Sequence, residues 1–120
     1  MRLGIYIQAI GCSLMLACGQ LIWKIGLDKL QVKALLSLEG IKKAVLSPYI
    51  WGGMGIYIVA TVIWLNVLSK LPLSVAYPLM SAAYVFGLIL AKTFLGEAIS
   101  VTRWIGVFVI VTGLILVSRP

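Results

Sequence analysis

The sequence predicts an all-α membrane protein with four transmembrane helices, and three observations lead to this fold class. Hydrophobic residues make up 62% of the 120-residue chain and charged residues only 11%, whereas soluble domains average about 45–50% and about 25%. The apolar residues are concentrated in four long runs. Twelve of the thirteen charged residues lie outside those runs. A soluble fold of this size needs more polar surface, so the composition excludes a soluble domain, a disordered tail and a nucleic-acid-binding module.

The four apolar runs have lengths of 21, 20, 20 and 18 residues, and a helix needs about 20 residues to cross a bilayer. The first run is too long for the core of a signal peptide, so we expect it to be retained. Pro48 precedes the second run in a position that suits a helix start. Pro78, within the third, removes a backbone hydrogen bond and predicts a kink. The predicted spans of this single domain are residues 3–23, 50–69, 72–91 and 101–118.

The segment between the first two spans, residues 24–49, is long enough to hold an element of its own. Within residues 29–46, apolar residues recur at a roughly helical period among lysines, which predicts an amphipathic helix at the membrane interface. The alternative is an extension of the first span followed by a solvated turn. The residues of this pattern are Lys29, Leu30, Lys33, Leu35, Leu38, Ile41, Lys42, Lys43 and Val45.

The net charge of +7 comes from ten Lys and Arg residues set against three acids. These cations flank apolar runs rather than covering one polar face, so we expect them to contact anionic membrane lipid and not nucleic acid. Seven of them lie on the side of the long loop and three on the other side. The positive-inside rule therefore predicts a cytoplasmic long loop and both termini outside.

Residues that commonly carry catalysis or bind metal are scarce. The chain has no His, the commonest metal ligand, and it shows no nucleophile–base pair and no phosphate loop. Cys12 and Cys18 are six residues apart, which on a helix separates them by about 9 Å and about 120°, so they cannot pair with each other. We expect neither an enzyme nor a protein with a cofactor or metal, and we interpret the cysteines as small buried residues.

Ionisable groups inside membrane spans are costly, so their positions indicate function. No Asp or Glu lies within the four predicted spans, although a proton-coupled exporter of cationic drugs needs a membrane carboxylate to bind cation and proton in turn. Lys24 ends the first span and Lys92 ends the third, and both spans run in the same direction. The two ammonium groups therefore reach the same membrane face, where they could hold a phosphate head group. The alternative is that each lysine is a boundary anchor.

The third span carries the richest set of polar residues, and its Ser74, Tyr77, Ser81 and Tyr84 share one helix face beside the predicted kink. Kinked helices line cavities in transporters, whereas the alternative is hydrogen bonding between packed helices. We expect Tyr77 to line a cavity, and Ser13 and Thr61 in the first two spans to serve packing. The candidate substrate-binding residues are Gln20, Lys24, Tyr77, Ser81, Tyr84 and Lys92.

The fourth span has no polar face. Gly106 and Gly113 are seven residues apart and lie on one side of it, where small residues let another helix approach closely. We expect them to pack against a second subunit. Four short helices make a thin wall around a lipid-sized or drug-sized cavity, and transporters commonly combine two related halves. The chain therefore looks like half of a transporter, completed by dimerisation with itself or with a paralogue.

Residues 68–120 resemble the drug/metabolite transporter superfamily. The resemblance lies in Pro72-Leu-Ser-Val-Ala-Tyr-Pro, in Leu95-Gly-Glu and in Arg103-Trp-Ile-Gly followed by Gly113. The first span, with Gly19-Gln-Leu-Ile-Trp-Lys, is also similar, so the resemblance covers most of the chain. Size and span number match the small multidrug resistance type of that superfamily.

The drug-exporting branch of this type carries an essential Glu in the first span, where this chain has Leu16, and its glycine-rich kink is replaced by Ala82-Ala-Tyr84. Tyr77 does match its cavity tyrosine. A Tyr-Pro pair in the third span and a Gly-Gln in the first are more similar to the four-helix subunits that flip aminoarabinose-phosphoundecaprenol. The resemblance implies a bacterial inner-membrane translocator of a polyprenyl phosphate or lipid-linked sugar. The alternatives are an exporter of a small hydrophilic or cationic metabolite and a non-transporting assembly subunit.

Overall fold

The computed structural model describes residues 2–30 and 36–119, and every regular element in these two ranges is an α-helix. The predicted all-α fold class is confirmed. Four helical segments of the described chain are long and apolar enough to cross a membrane: α1, α3, the pair α4 and α5 taken together, and α6. The helices are α1 (Arg2–Leu30), α2 (Leu38–Leu46), α3 (Pro48–Leu68), α4 (Leu73–Leu79), α5 (Ala82–Phe94) and α6 (Val101–Ser118).

α1 continues well past residue 23, where the first span was expected to end, and reaches Leu30. The apolar run ends at Lys24, but a charged residue does not end a helix. Lys24 instead forms an ion pair with Asp28 one turn later, at 3.3 Å. A helix of this length extends about 44 Å, whereas the hydrocarbon core is about 30 Å thick. The last turns of α1 therefore reach the head-group region.

The long loop combines the two structures expected for it, an extended first span and a separate short helix. α2 begins after Ser37, whose side chain accepts a hydrogen bond from the backbone N–H of Gly40 at 3.0 Å. Its apolar residues Ile41 and Val45 are exposed, as an interfacial helix requires. The predicted helix over residues 29–46 also included Lys33 and Leu35, which lie outside the described residues.

The third span is interrupted directly after Pro78, between α4 and α5. Proline cannot donate a helical hydrogen bond and its ring displaces the preceding turn. The backbone then tightens: the N–H of Met80 donates to the carbonyl of Tyr77 at 3.0 Å, and that of Ser81 to Pro78 at 2.9 Å. The carbonyl of Leu79 accepts a bond from the Ser13 hydroxyl of α1 at 3.3 Å. A neighbouring helix thus stabilises the interruption, because a backbone carbonyl within the bilayer needs a hydrogen-bond donor from the protein.

α1 is the central helix, with α3 packed along one side of it and α4 and α5 along another. The buried residues at these contacts are mostly small, which lets the backbones approach closely. The molecule is flat, with extents of 50 × 36 × 21 Å. Seven of its buried hydrophobic residues form two clusters, Ala9, Val67, Ala76 and Leu79 in one and Cys12, Leu16 and Ala60 in the other.

α6 packs against α4 and α5, and none of its eighteen residues is buried. The Tyr6 hydroxyl of α1 donates a hydrogen bond to the Ser118 carbonyl at 3.3 Å and thereby connects the last residue of α6 to α1. A Cβ built on Gly106 or on Gly113 would meet no atom within 4 Å. The glycine face of α6 is therefore open within this chain.

Trp23 fixes the distance between α1 and α3 near the long-loop end. Its indole Nε1 donates to the Ile50 carbonyl at 3.0 Å, and its ring stacks on Tyr57 with centroids 5.1 Å apart. Gly53 lies directly beneath the indole, and a Cβ there would overlap the ring atoms. This contact requires glycine at position 53.

We expect Gly53→Ala to lower the free energy of unfolding by about 1–3 kcal/mol, because the added methyl group must displace the Trp23 indole. The matched control is Gly52→Ala, one residue away, where a Cβ would meet nothing within 4 Å. Alanine there should be neutral or slightly stabilising. Thermal unfolding in detergent, followed by tryptophan fluorescence, measures both. Equal midpoints for the two variants would contradict the packing described.

Candidate substrate-binding site

Two adjoining cavities lie between α1 and the α4–α5 pair, and together they are called the central groove. They share Gln20, Ala83 and Tyr84. The larger, of about 460 Å³, is lined by Leu16, Gln20, Tyr57, Tyr77, Pro78, Met80, Ser81, Ala83 and Tyr84. The smaller, of about 220 Å³, is lined by Ala17, Gln20, Leu21, Lys24, Ala83, Tyr84, Gly87, Leu90, Ala91 and Leu95.

Five of the six candidate substrate-binding residues line the central groove. The larger cavity holds four of them around the interruption of the third span, and Lys24 lies at the end of the smaller one. Helical spacing explains this outcome, because residues on one face of a helix meet the same neighbour. The residues brought together are Gln20, Lys24, Tyr77, Ser81 and Tyr84.

Lys92 does not line either cavity of the central groove. Its Nζ lies over the ring of Trp104 in α6, 5.5 Å from the centroid. Ala91 lines the groove, and the next residue of a helix points about 100° away. The expectation that Lys24 and Lys92 hold one phosphate depended on the equal depth of the two lysines in the membrane. The depth of a residue does not determine on which face of its helix it lies.

The groove presents polar side chains that have no partner among the described residues. The Tyr77 and Tyr84 side chains are 65% and 68% exposed, and neither hydroxyl, nor the Gln20 amide, makes a hydrogen bond within the part of the chain described. Ser81 donates to the Pro78 carbonyl. Unpaired polar groups facing hydrocarbon are costly. These groups are therefore available to a ligand or a second subunit.

Tyr57 lines the groove from α3 although it was not among the candidate residues. Its place follows from its stacking on Trp23, a contact between two helices that no local pattern reveals. Thr61, on the same helix, is exposed and donates to the Tyr57 carbonyl at 2.8 Å. The spacing of these two residues puts them on one helix face, but it does not show that this face meets the groove.

Lys24 has a weak partner in Asp28. The Nζ–Oδ1 distance is 3.3 Å, and the side chains are 55% and 56% exposed. A lysine preceding its acid by four residues is the less favourable order, and an acid near a helix C-terminus opposes the helix dipole. Such an exposed pair contributes about 0.3–0.5 kcal/mol. A phosphate can therefore replace Asp28 as the partner of Lys24 at little cost.

The known proteins that are similar in sequence agree with the resemblance that the motifs indicate. A protein of Yersinia pseudotuberculosis serotype O:1b (strain IP 31758), named as a probable 4-amino-4-deoxy-L-arabinose-phosphoundecaprenol flippase subunit ArnE, is 43% identical over 56 residues, or 47% of this chain and 49% of that protein. The chain resembles flippase subunits. A Yersinia pestis protein of the same name gives the same values. A Pseudomonas fluorescens (strain Pf0-1) protein of that name is 33% identical over 73 residues, covering 61% of this chain and 64% of its own length.

The chain thus spans about half the length of the Yersinia relatives that it matches. No model of a known protein family matches it. No solved structure matches it either. The similarity supports the resemblance to aminoarabinose-phosphoundecaprenol flippase subunits that the motifs indicate.

We expect Asp28→Asn to strengthen binding of a long-chain alkyl phosphate about twofold, because removing the exposed counterion frees Lys24. Glu97→Gln is the matched control, since it removes an equal charge between α5 and α6, outside the central groove. Native mass spectrometry of the detergent-extracted protein with the added alkyl phosphate measures the affinities. Weaker binding by Asp28→Asn would show that the acid supports the ligand rather than competing with it.

Proposed function

We propose that this chain is one half of a transporter that flips an anionic polyprenyl-phosphate lipid, in particular a lipid-linked sugar, across the bacterial inner membrane. The observation that carries the proposal is the central groove, with unpartnered polar groups along it and Lys24 at its end. No Asp or Glu is among the residues that line its two described cavities. The names of the relatives agree, because they describe flippase subunits for an undecaprenol-linked phosphosugar.

In this proposal different parts of the groove contact different parts of the ligand. Lys24 attracts the phosphate at the head-group level, where its ammonium is half exposed. The Tyr77 and Tyr84 hydroxyls and the Gln20 amide offer hydrogen bonds to the sugar deeper in the groove. The polyprenyl tail stays in the bilayer, alongside the open side of the groove where both tyrosines are exposed.

The depth of the groove supports the idea that the chain forms half of a path. From Lys24 to Leu16, the groove residues follow α1 for eight residues, which is about 12 Å along the helix. Half of the hydrocarbon thickness is about 15 Å. The groove therefore runs from one interface to near the midplane. A second subunit, either another copy or a paralogue, would supply the other half.

α6 is the face that we propose for this second subunit. All of its residues remain accessible, and the sides of Gly106 and Gly113 are open. Close helix packing in membranes uses such small residues. The partner would then enclose a groove that one flat protomer leaves open.

We expect Lys24→Ala to reduce both binding and flipping of a fluorescent polyprenyl phosphate about tenfold, because one charge-assisted contact is lost. Lys24→Arg should retain most of the activity. Lys92→Ala should change little, since Lys92 lies on Trp104, and Lys70→Ala at the opposite membrane end serves as the control. Native mass spectrometry and a proteoliposome assay measure the two properties.

Unchanged binding and flipping by Lys24→Ala would overturn the role of Lys24. Proton flux that is stimulated by a small cationic compound, together with indifference to polyprenyl phosphate, would favour a metabolite exporter instead. An inactive chain that nevertheless restores flipping by a paralogue would indicate an assembly subunit.

We expect Gly106→Leu and Gly113→Leu to lower the dimer fraction about tenfold while leaving the fold intact. In the protomer each leucine would extend into open space, whereas in the proposed dimer it would prevent the close approach of the partner helix. Gly55→Leu on α3 is the matched control, since its Cβ position is also open. Cross-linking in membranes followed by native mass spectrometry reports the oligomeric state. An unchanged dimer in both α6 variants would place the interface elsewhere.

A further inference from the structure

A separate cavity of about 430 Å³ lies where the end of α1 meets α2 and the start of α3. It shares no lining residue with the central groove, and its volume is in the range of small-ligand sites. We call it the α2 pocket. Its lining residues are Gly26, Lys29, Leu30, Lys43, Leu46, Ser47, Pro48 and Tyr49.

A close contact between Gly26 and Tyr49 shapes the wall of the α2 pocket. A Cβ built on Gly26 would lie 2.5 Å from the Cβ of Tyr49, so only glycine lets α1 approach the start of α3 this closely. Tyr49 in turn positions Lys29, whose Nζ donates to the phenol oxygen at 2.7 Å and lies 4.9 Å from the ring centroid. The cation is therefore held at the pocket by two interactions.

The remaining polar groups of the α2 pocket are also donors. Ser47 is 4% exposed, and although it occupies the N-cap position of α3, its side chain makes no capping hydrogen bond. Among the described residues its hydroxyl has no partner. The first N–H groups of a helix favour an anion. Because the Tyr49 oxygen accepts from Lys29, its own proton remains available for donation.

Lys43 brings a second cation to the α2 pocket from α2. It pairs with Glu39 at 3.3 Å, but that pair is exposed and follows one helix, so it contributes about 0.3–0.5 kcal/mol. Glu39 is not among the lining residues. Among the described residues, the pocket is lined by cations and donors and by no carboxylate, which selects for an anion.

Apolar side chains border the same cations. Leu30 and Leu46 line the α2 pocket, and Leu46 continues into the exposed apolar face of α2 with Ile41 and Val45. A free inorganic anion gains nothing from these leucines. A phospholipid matches both features, with its phosphate at the lysines and its acyl chains along α2.

We propose that the α2 pocket binds the phosphate of an anionic phospholipid as a resident lipid, distinct from the cargo of the central groove. Lys29, Lys43, Ser47 and Tyr49 contact the phosphate, and Leu30 and Leu46 contact the acyl chains. The bound lipid joins α1, α2 and α3 at one membrane face. Its role is to hold the interfacial helix in place.

The test is native mass spectrometry of the whole detergent-extracted protein, titrated separately with phosphatidylglycerol and phosphatidylcholine. We expect tighter binding of phosphatidylglycerol, and about tenfold weaker binding of it when Lys29 and Lys43 are both replaced by Ala. The matched control replaces Lys42 and Lys70 by Ala, which removes the same charge from residues that do not line the pocket. This control should stay within about twofold of the unmodified protein.

A second variant distinguishes the loss of a phosphate contact from misfolding. Tyr49→Phe keeps the ring that packs on Gly26 and removes only the hydroxyl, so we expect a folded protein that binds phosphatidylglycerol about threefold more weakly. Equal binding of the two lipids, or equal losses in the two double variants, would overturn the proposal. Displacement of phosphatidylglycerol by excess inorganic phosphate would show a site for the free anion, which also overturns it.

Discussion

Close packing along α1 is the constraint on which the rest of the molecule depends. The hydrophobic effect does not drive apolar helices together within hydrocarbon. Their backbones must therefore approach closely, and polar groups of one helix must hydrogen-bond those of another. Ala9 and Cys12 provide this approach on α1, and Ser13 bonds the carbonyl that the interrupted third span leaves free. Gln20 and Lys24 continue the same face of α1 beyond Ser13, and there it borders the cavities shared with α5. The central groove is thus a consequence of where α1 is packed.

The features that follow from local chemistry could be predicted from the sequence. Apolar length determines which segments cross a bilayer, and proline chemistry determines where the third span breaks, so the four spans and the position of Pro78 needed no tertiary information. Helical periodicity likewise placed Tyr77, Ser81 and Tyr84 beside one cavity. Lys92 lies outside the groove, because the side of α5 that meets α6 is decided by packing between helices, and its substrate role stays a prediction.

Contacts across the long loop lay beyond such reasoning. The approach of Gly26 to Tyr49 joins residues of two different spans, and neither residue belongs to a recognisable pattern. The two lysines at this membrane face differ for the same reason. Lys24 has an exposed acid as its partner and borders polar side chains, whereas Lys29 is fixed on an aromatic ring beside leucines. Similar residues at similar depth therefore have different surroundings, a groove with polar side chains in one case and an apolar border in the other.

The excess length of α1 has a consequence for the membrane in which the protein works. The helix is about 44 Å long, but its apolar run of 21 residues is about 30 Å and matches the hydrocarbon layer, so its charged last turns project from that layer. Because Gln20 and Lys24 belong to this helix, its tilt sets the level of the groove relative to the lipid phosphates. A thicker or thinner bilayer changes this tilt, and with it the depth of Gln20 and Lys24 below the lipid phosphates.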